Sequence, residues 1–323
     1  MLTPWTRPLS TRLGRLGRLG RLGLLLALLA LVACQREAEP VPGAPGEPVA
    51  AVEALAEALR EGDLKRYAEL SLPPAMHAQQ KALWRQQLAA RNPIDETQAQ
   101  RYAELMTQLT APDAETALWA KAEPKLAALE QELGPKWTLG VTMLSGFATT
   151  AISASETMSE AEKGHATGVV TALAEWAGDQ AQFTDRERAK QALGVAVRTA
   201  RALDLPDVAA IEALEYDPML EKAGVAFRGF KDVVSAYGID ADTALSQVTA
   251  EVIAIEGPRA VVRVRYPLLG QQVEFEQPMR QVDGGWYRED AIEALERSVA
   301  ELGAAPAPEA TDAAAAPAAA PAN

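Results

Sequence analysis

The chain has 323 residues with 44 acidic against 31 basic side chains, a formal net charge of −13. That balance argues against binding nucleic-acid phosphates or anionic lipid head groups, which an acidic surface repels. The single cysteine has no intramolecular disulfide partner, and the two histidines, His77 and His165, have no cysteine beside them, so zinc sites of the usual spacing are absent.

At the N-terminus, five arginines (Arg7, Arg12, Arg15, Arg18, Arg21) and no acid precede the apolar run Leu22 to Ala33. This is the order of a signal peptide, a charged region and then an apolar one. Four Arg-Leu-Gly repeats from Arg12 to Gly23 make up most of the charged region. As a helix the apolar run spans about 18 Å against about 30 Å of bilayer hydrocarbon, too short for a permanent anchor. It ends in Leu31-Val32-Ala33-Cys34, which resembles the lipobox of bacterial lipoproteins. The competing reading is an ordinary secretory peptide with an unrelated cysteine. The lipobox resemblance implies cleavage before Cys34, lipid on its thiol and, with Gln35 rather than aspartate next, an outer-membrane address. Without residues 1–33, the remaining 290 residues carry 26 basic and 44 acidic side chains, about −18. Residues 34–48 are expected to be a Pro, Glu and Gly-rich lipidated tether, followed by a single domain over 49–302. Residues 303–323, with twelve alanines and four prolines, are expected to be a disordered tail.

Within the domain, Val52, Leu55, Ala56 and Leu59 follow helical spacing, Gly62 ends that stretch, and Asp63 is placed to cap a second helix carrying Leu64, Tyr67 and Leu70. Pro73-Pro74 breaks the chain. Residues 73–245 then read as helices almost throughout. A helix with Met76, Leu83 and Leu88 ends at Asn92-Pro93, and Asp95 is a candidate cap for the next. Asp113 opens a longer helix, kinked at Pro124 and stopped at Gly134. Ser159 with Glu162, and Thr184 with Glu187, fit the capping box. A last long helix runs from about Pro218 to Tyr237.

Trp137 to Ser155 has nineteen residues and no charge. Its many threonines and serines, with Gly140 and Gly146, make it more polar than a membrane span. The expectation is a central helix buried by its neighbours in a water-soluble core.

Farther on the period changes. Val248 to Ile255, Arg259 to Leu268 and Val273 to Val282 alternate or run in β-branched residues, and Asp283-Gly284-Gly285 turns into Trp286-Tyr287. The fold class expected is therefore α+β and mostly helical, a helical bundle with a small C-terminal antiparallel meander of three or four strands. A two-residue turn at Gly270-Gln271 would pair Leu268 with Val273, Tyr266 with Phe275, Val264 with Gln277 and Val262 with Met279. That register puts Tyr266, Phe275, Gln277 and Met279 on the covered face as candidate ligand-facing residues, turns Arg263 and Arg265 to water, and restricts Pro278 to an edge or a bulge.

The opening "AVEALAEALREGDLKRYAELS" together with the closing "VDGGWYRED" resembles the cone-shaped α+β roll of the nuclear transport factor 2 superfamily, over residues 49–72 and 246–290. The intervening 73–245 is then a helical insertion, and the whole chain resembles uncharacterised Gram-negative lipoproteins. The superfamily contains isomerases, dehydratases and plain binding modules, so the resemblance implies a fold and selects no activity.

No phosphate-binding glycine loop, nucleophile elbow or calcium-loop spacing occurs. His77 and His165 are expected at the surface or between helices. Glu212, Glu215, Asp217, Asp240 and Asp242 are expected at solvated helix ends. No catalytic residue, metal or cofactor is expected. The function expected is a non-catalytic envelope lipoprotein that binds another protein or a cell-wall component. The alternative is a small-molecule binder or an isomerase-like enzyme with a roll cavity, where Glu251 would be the first acid to test as a base.

Overall fold

Where the apolar positions recur every three or four residues, the chain winds into helices. A computed structural model describes residues 45–304 except 92–93, 157 and 179–180. The expected leader, Cys34, most of the expected tether, the Asn92-Pro93 break and the residues from 305 onward lie outside the described residues.

Helix α1 (Pro48–Glu61) starts on a proline, buries Ala51, Val52, Leu55 and Ala58, and stops at Gly62, whose φ of 67° is the left-handed conformation that glycine adopts without strain. Asp63 accepts from the Arg66 amide and so caps α2 (Leu64–Ser71). Helix α3 (Pro74–Ala90) buries His77, Gln80, Trp84 and Gln87, a mainly polar seam at helical spacing. Apart from Trp84, its large apolar residues Met76, Leu83 and Leu88 are only half-buried.

Asp95 caps α4 (Glu96–Thr110) through the Thr97 amide. Helix α5 (Ala114–Leu133) continues through Pro124. Gly134 takes right-handed angles instead of a left-handed stop, and a 3-10 turn over Gly134–Lys136 leads straight into α6 (Trp137–Ser153). The Ser159 capping box opens α7 (Glu160–Ala177) with both of its reciprocal hydrogen bonds. The box expected at Thr184 does not form. Thr184 ends the short α8 (Ala181–Thr184), and Asp185, one residue later, caps α9 (Arg186–Leu203) by accepting from the Arg188 amide. Helices α10 (Val208–Glu212), α11 (Tyr216–Ala236) and α12 (Ala241–Ser246) follow.

The long pair α9 and α11 cross closely because Gly229 carries no side chain; a Cβ there would lie 2.2 Å from Thr199 Oγ1. One buried cluster joins Trp84, Tyr216, Met219 and Leu220 to Tyr287, Ile292 and Leu295. Ile292 and Leu295 belong to α13 (Glu289–Ala304), hidden in the sequence between a strand ending and an Ala/Pro tail, although Ile292, Leu295 and Val299 keep helical spacing.

The expectation for Trp137 to Ser155 is overturned. Helix α6 has no buried residue; it packs on α7 and on the turn before it, Trp137 at its start meets Phe183 of α8 with ring centroids 5.0 Å apart, and the rest faces solvent. Among the described residues no helix is long and apolar enough to cross a membrane.

The strands form one antiparallel meander in the order β1-β2-β3-β4, with β1 (Thr249–Glu256), β2 (Arg259–Leu268), β3 (Gln271–Val282) and β4 (Gly285–Arg288). The predicted register needs correction. The turn residues are Leu269 and Gly270, both with positive φ (54° and 84°), and Leu268 faces Gln271. Tyr266 therefore pairs with Val273, Val264 with Phe275, Val262 with Gln277 and Ala260 with Met279. Positive φ at both turn residues is the type I′ geometry, which matches the right-handed twist of the strands and places Gly270 second in the turn instead of first. Because the displacement is two residues, each side chain keeps its expected face. Ala260, Val262, Val264, Met279 and Trp286 pack beneath Ala51 and Val52 of α1. Arg265 on the opposite face pairs with Glu251 and Glu274, and Arg263 with Glu251 and Glu276. Pro278 sits one residue before the β4 ladder begins at Met279, so β3 is an edge on that side there, as its missing N–H requires.

Candidate functional site

Two places in the fold gather side chains that the sequence keeps apart. The first is the covered face of the sheet. Helix α7 crosses β3 and sets the His165 ring parallel to Phe275, with centroids 4.2 Å apart, while His165 Nε2 lies 2.6 Å from the Tyr266 hydroxyl. Burial lowers the His165 pKa, with the Arg288 charge adding to the effect, and burial pushes Tyr266 up to about 12. Both shifts favour the neutral forms, so imidazole and phenol share one hydrogen bond whose direction is set by which ring nitrogen carries the proton.

Next along this face, Gln277 donates to Asp290 Oδ1 at 3.2 Å, and Asp290 also receives the Arg288 guanidinium. Arg288 in turn donates to the Tyr67 hydroxyl of α2. Burial by itself would lower the Arg288 pKa, but Tyr67 and Asp290 outweigh it and hold the guanidinium above its ordinary value. Met279 is fully buried. The four candidate residues on the sheet therefore share one face, and each packs or bonds against protein. His165, Asp290, Arg288 and Tyr67 are the partners that sequence reasoning missed; His165 is 101 residues from Tyr266, and no local spacing signals that contact. Glu251 is exposed on the opposite face, and its hydrogen bond from Arg265 lowers its pKa, so it is no candidate base on the covered face.

Other expected groups are also accounted for. His77 is buried between helices, edge-on to Tyr216 at 6.3 Å. Asp217 pairs with Lys81 and Glu215 with Arg85, clamping α3 to the start of α11. Asp240 caps α12, and Asp242 receives the buried Lys231 ammonium. Among the described residues, no group of three or more His, Cys, Asp or Glu side chains is placed to hold a metal ion.

The second place is the outer surface of α6. Leu139, Met143, Leu144 and Phe147 are 64, 53, 71 and 67% exposed. Beside this ridge, α6 and α7 border an open groove of about 760 Å³ lined by Thr138, Thr142, Gly146, Thr149, Val170 and Ala174 among others. Hydroxyls along it are turned onto their own helices: Thr142 donates to the Thr138 carbonyl, Ser145 to Thr142, Thr150 to Gly146 and Ser153 to Thr149. With those donors used, methyl groups make up most of what the groove offers, and Glu175 is the charged group on its lining. Searches against protein-family models, curated proteins and solved structures returned no match.

Proposed function

We propose that this chain is a non-catalytic envelope lipoprotein that binds another protein through the α6–α7 surface. The observation that carries the reading is an uncharged helix with four large apolar side chains in water. Scattered exposed apolar residues need no explanation, but a contiguous ridge marks an interaction site. A protein partner fits better than a cell-wall polymer, because a sugar-rich ligand calls for free hydrogen-bonding groups and the hydroxyls of Thr142, Thr150 and Ser153 are tied to the backbone of α6 itself. The small-molecule alternative finds less support, since Tyr266, Phe275, Gln277 and Met279 are all engaged by protein. The packing of α1 on the meander supports the roll resemblance, and the lipobox-like Leu31-Val32-Ala33-Cys34 supports the lipid anchor.

A photoreactive residue placed at Leu144 in living cells tests the binding surface. The reading expects a discrete protein adduct there and none at Leu105, an exposed apolar residue of α4 that serves as the control. Equal labelling at both positions removes it.

A further inference from the structure

We infer that the occupant of the α6–α7 surface is α6 of a second copy of this chain, packed antiparallel with the two helices crossing at Gly146. The inference rests on the protein-binding reading above and names the partner. Four observations carry it.

The first is that the surface is self-complementary. A two-fold interface needs the same patch to be both knob and hole. Helix α6 presents the apolar ridge of Leu139, Met143, Leu144 and Phe147 directly beside the small-residue groove, so a half-turn rotation sets each ridge over the other groove. Gly146 lies next to the middle of the helix, and a Cβ built there would meet nothing within 4 Å. The crossing point is therefore open to another backbone.

The second is charge. A chain with 44 acidic and 31 basic side chains repels its own copies over most approaches, whereas α6 has no charged residue and Glu175, the acid on the groove's lining, already accepts a hydrogen bond from Gln271. Self-association costs least there.

The third sets the direction. Lys136 precedes α6 and Glu156 follows it; both are exposed and each is ten residues from Gly146. Antiparallel pairing about Gly146 sets the Lys136 end of one copy against the Glu156 end of the other, twice. Parallel pairing would set Lys136 against Lys136 and Glu156 against Glu156. The helix dipoles also favour the antiparallel arrangement.

The fourth is size. The four ridge side chains with the bordering strip offer roughly 500–600 Å² per copy, so the pair buries about 1,000–1,200 Å², at the low end of specific interfaces. An interface of that size belongs to the weak, transient class, so the dimer is expected only at roughly micromolar concentrations and above.

The test uses the chain from Gln35 onward, which keeps every described residue and contains no cysteine. Sedimentation from about 1 to 500 μM should show a monomer passing to a dimer. Leu144→Glu with Phe147→Glu should raise the dissociation constant about tenfold or more. Lys136→Glu alone should raise it about threefold, and adding Glu156→Lys should restore it. Single cysteines fix the geometry under mild oxidation: Gly146→Cys should cross-link to itself, and Leu139→Cys should cross-link to Ser153→Cys in a mixed sample. Strong self-linking at Leu139→Cys would mean parallel pairing and overturns the inference. So does a monomer at every concentration. If that monomer still gives an adduct with a different protein at position 144 in cells, the protein-binding reading survives; if position 144 gives no protein adduct, both fall.

Discussion

His77 sits on the buried face of α3 with its Nε2 lacking a partner, and burial pushes its imidazole down to about 4, against the smaller opposing pull of Asp217. An unfolded histidine takes its proton near pH 6.5. The unfolded state therefore binds protons first as pH falls, so the His77 contribution is fully present above about 6.5 and is lost toward 4. At pH 5 the loss is about 2 kcal/mol. Urea unfolding at pH 7 and pH 5 should show it, and His77→Leu should flatten that part of the profile; an unchanged profile in the variant would refute the assignment. Leu269 is a second residue at odds with its place, since a φ of 54° costs a branched side chain about 1 kcal/mol that glycine avoids. Leu269→Gly should raise the melting temperature by a few degrees, and a lower value would mean the turn prefers its leucine for packing. Neither residue was legible beforehand. The sequence places the turn near Gly270 because glycine accepts positive φ, but it gives no reason to assign the same angle to a leucine. In the same way, His77 looks like any other polar residue on a helix until α11 is brought against it.

At the scale of the element, α9 and α11 depend on Gly229. Gly229→Ala should cost about 1–3 kcal/mol by overpacking against Thr199, measured by denaturant unfolding. Adding Thr199→Ala removes the two nearest atoms and should return part of the loss; strict additivity would show that the contact is not the cause. Helix and strand types were readable because their periods are set by each element's own apolar face: Val52 and Leu55 of α1 are buried as the spacing predicts, and so are Val262 and Val264 of β2. The Ser159 box was readable for the same local reason. Helix α6 was not, because the absence of charge is compatible with burial and also with an exposed docking face, and only its neighbours decide between them. The Thr184 box failed because Asp185, an equally good cap, stands one residue closer to the helix.

For the molecule as a whole, the proposed anchor makes a direct prediction: Cys34→Ala should accumulate as uncleaved precursor that takes up no labelled palmitate, and normal processing of that variant would refute the lipid anchor. Several acyl chains hold a protein to a membrane, and such confinement raises the local concentration of neighbouring copies. Under those conditions a pair that is weak in dilute solution becomes well populated.

The shallow seating of α6 has a further consequence, for the order in which backbone amides open. A helix with no buried residue, held by one neighbouring helix, a short turn and the Trp137–Phe183 ring contact at its first residue, can detach without melting the α9–α11 crossing or the sheet. In deuterated water its amides should exchange through that partial opening, much sooner than those around Val197, Tyr216 or Val262, which are buried and should wait for global unfolding. Exchange in α6 then serves as a meter of coverage. Whatever docks on the helix must be released before it can open, so its protection should climb with protein concentration if the cover is another copy, and stay constant in the Leu144→Glu, Phe147→Glu variant.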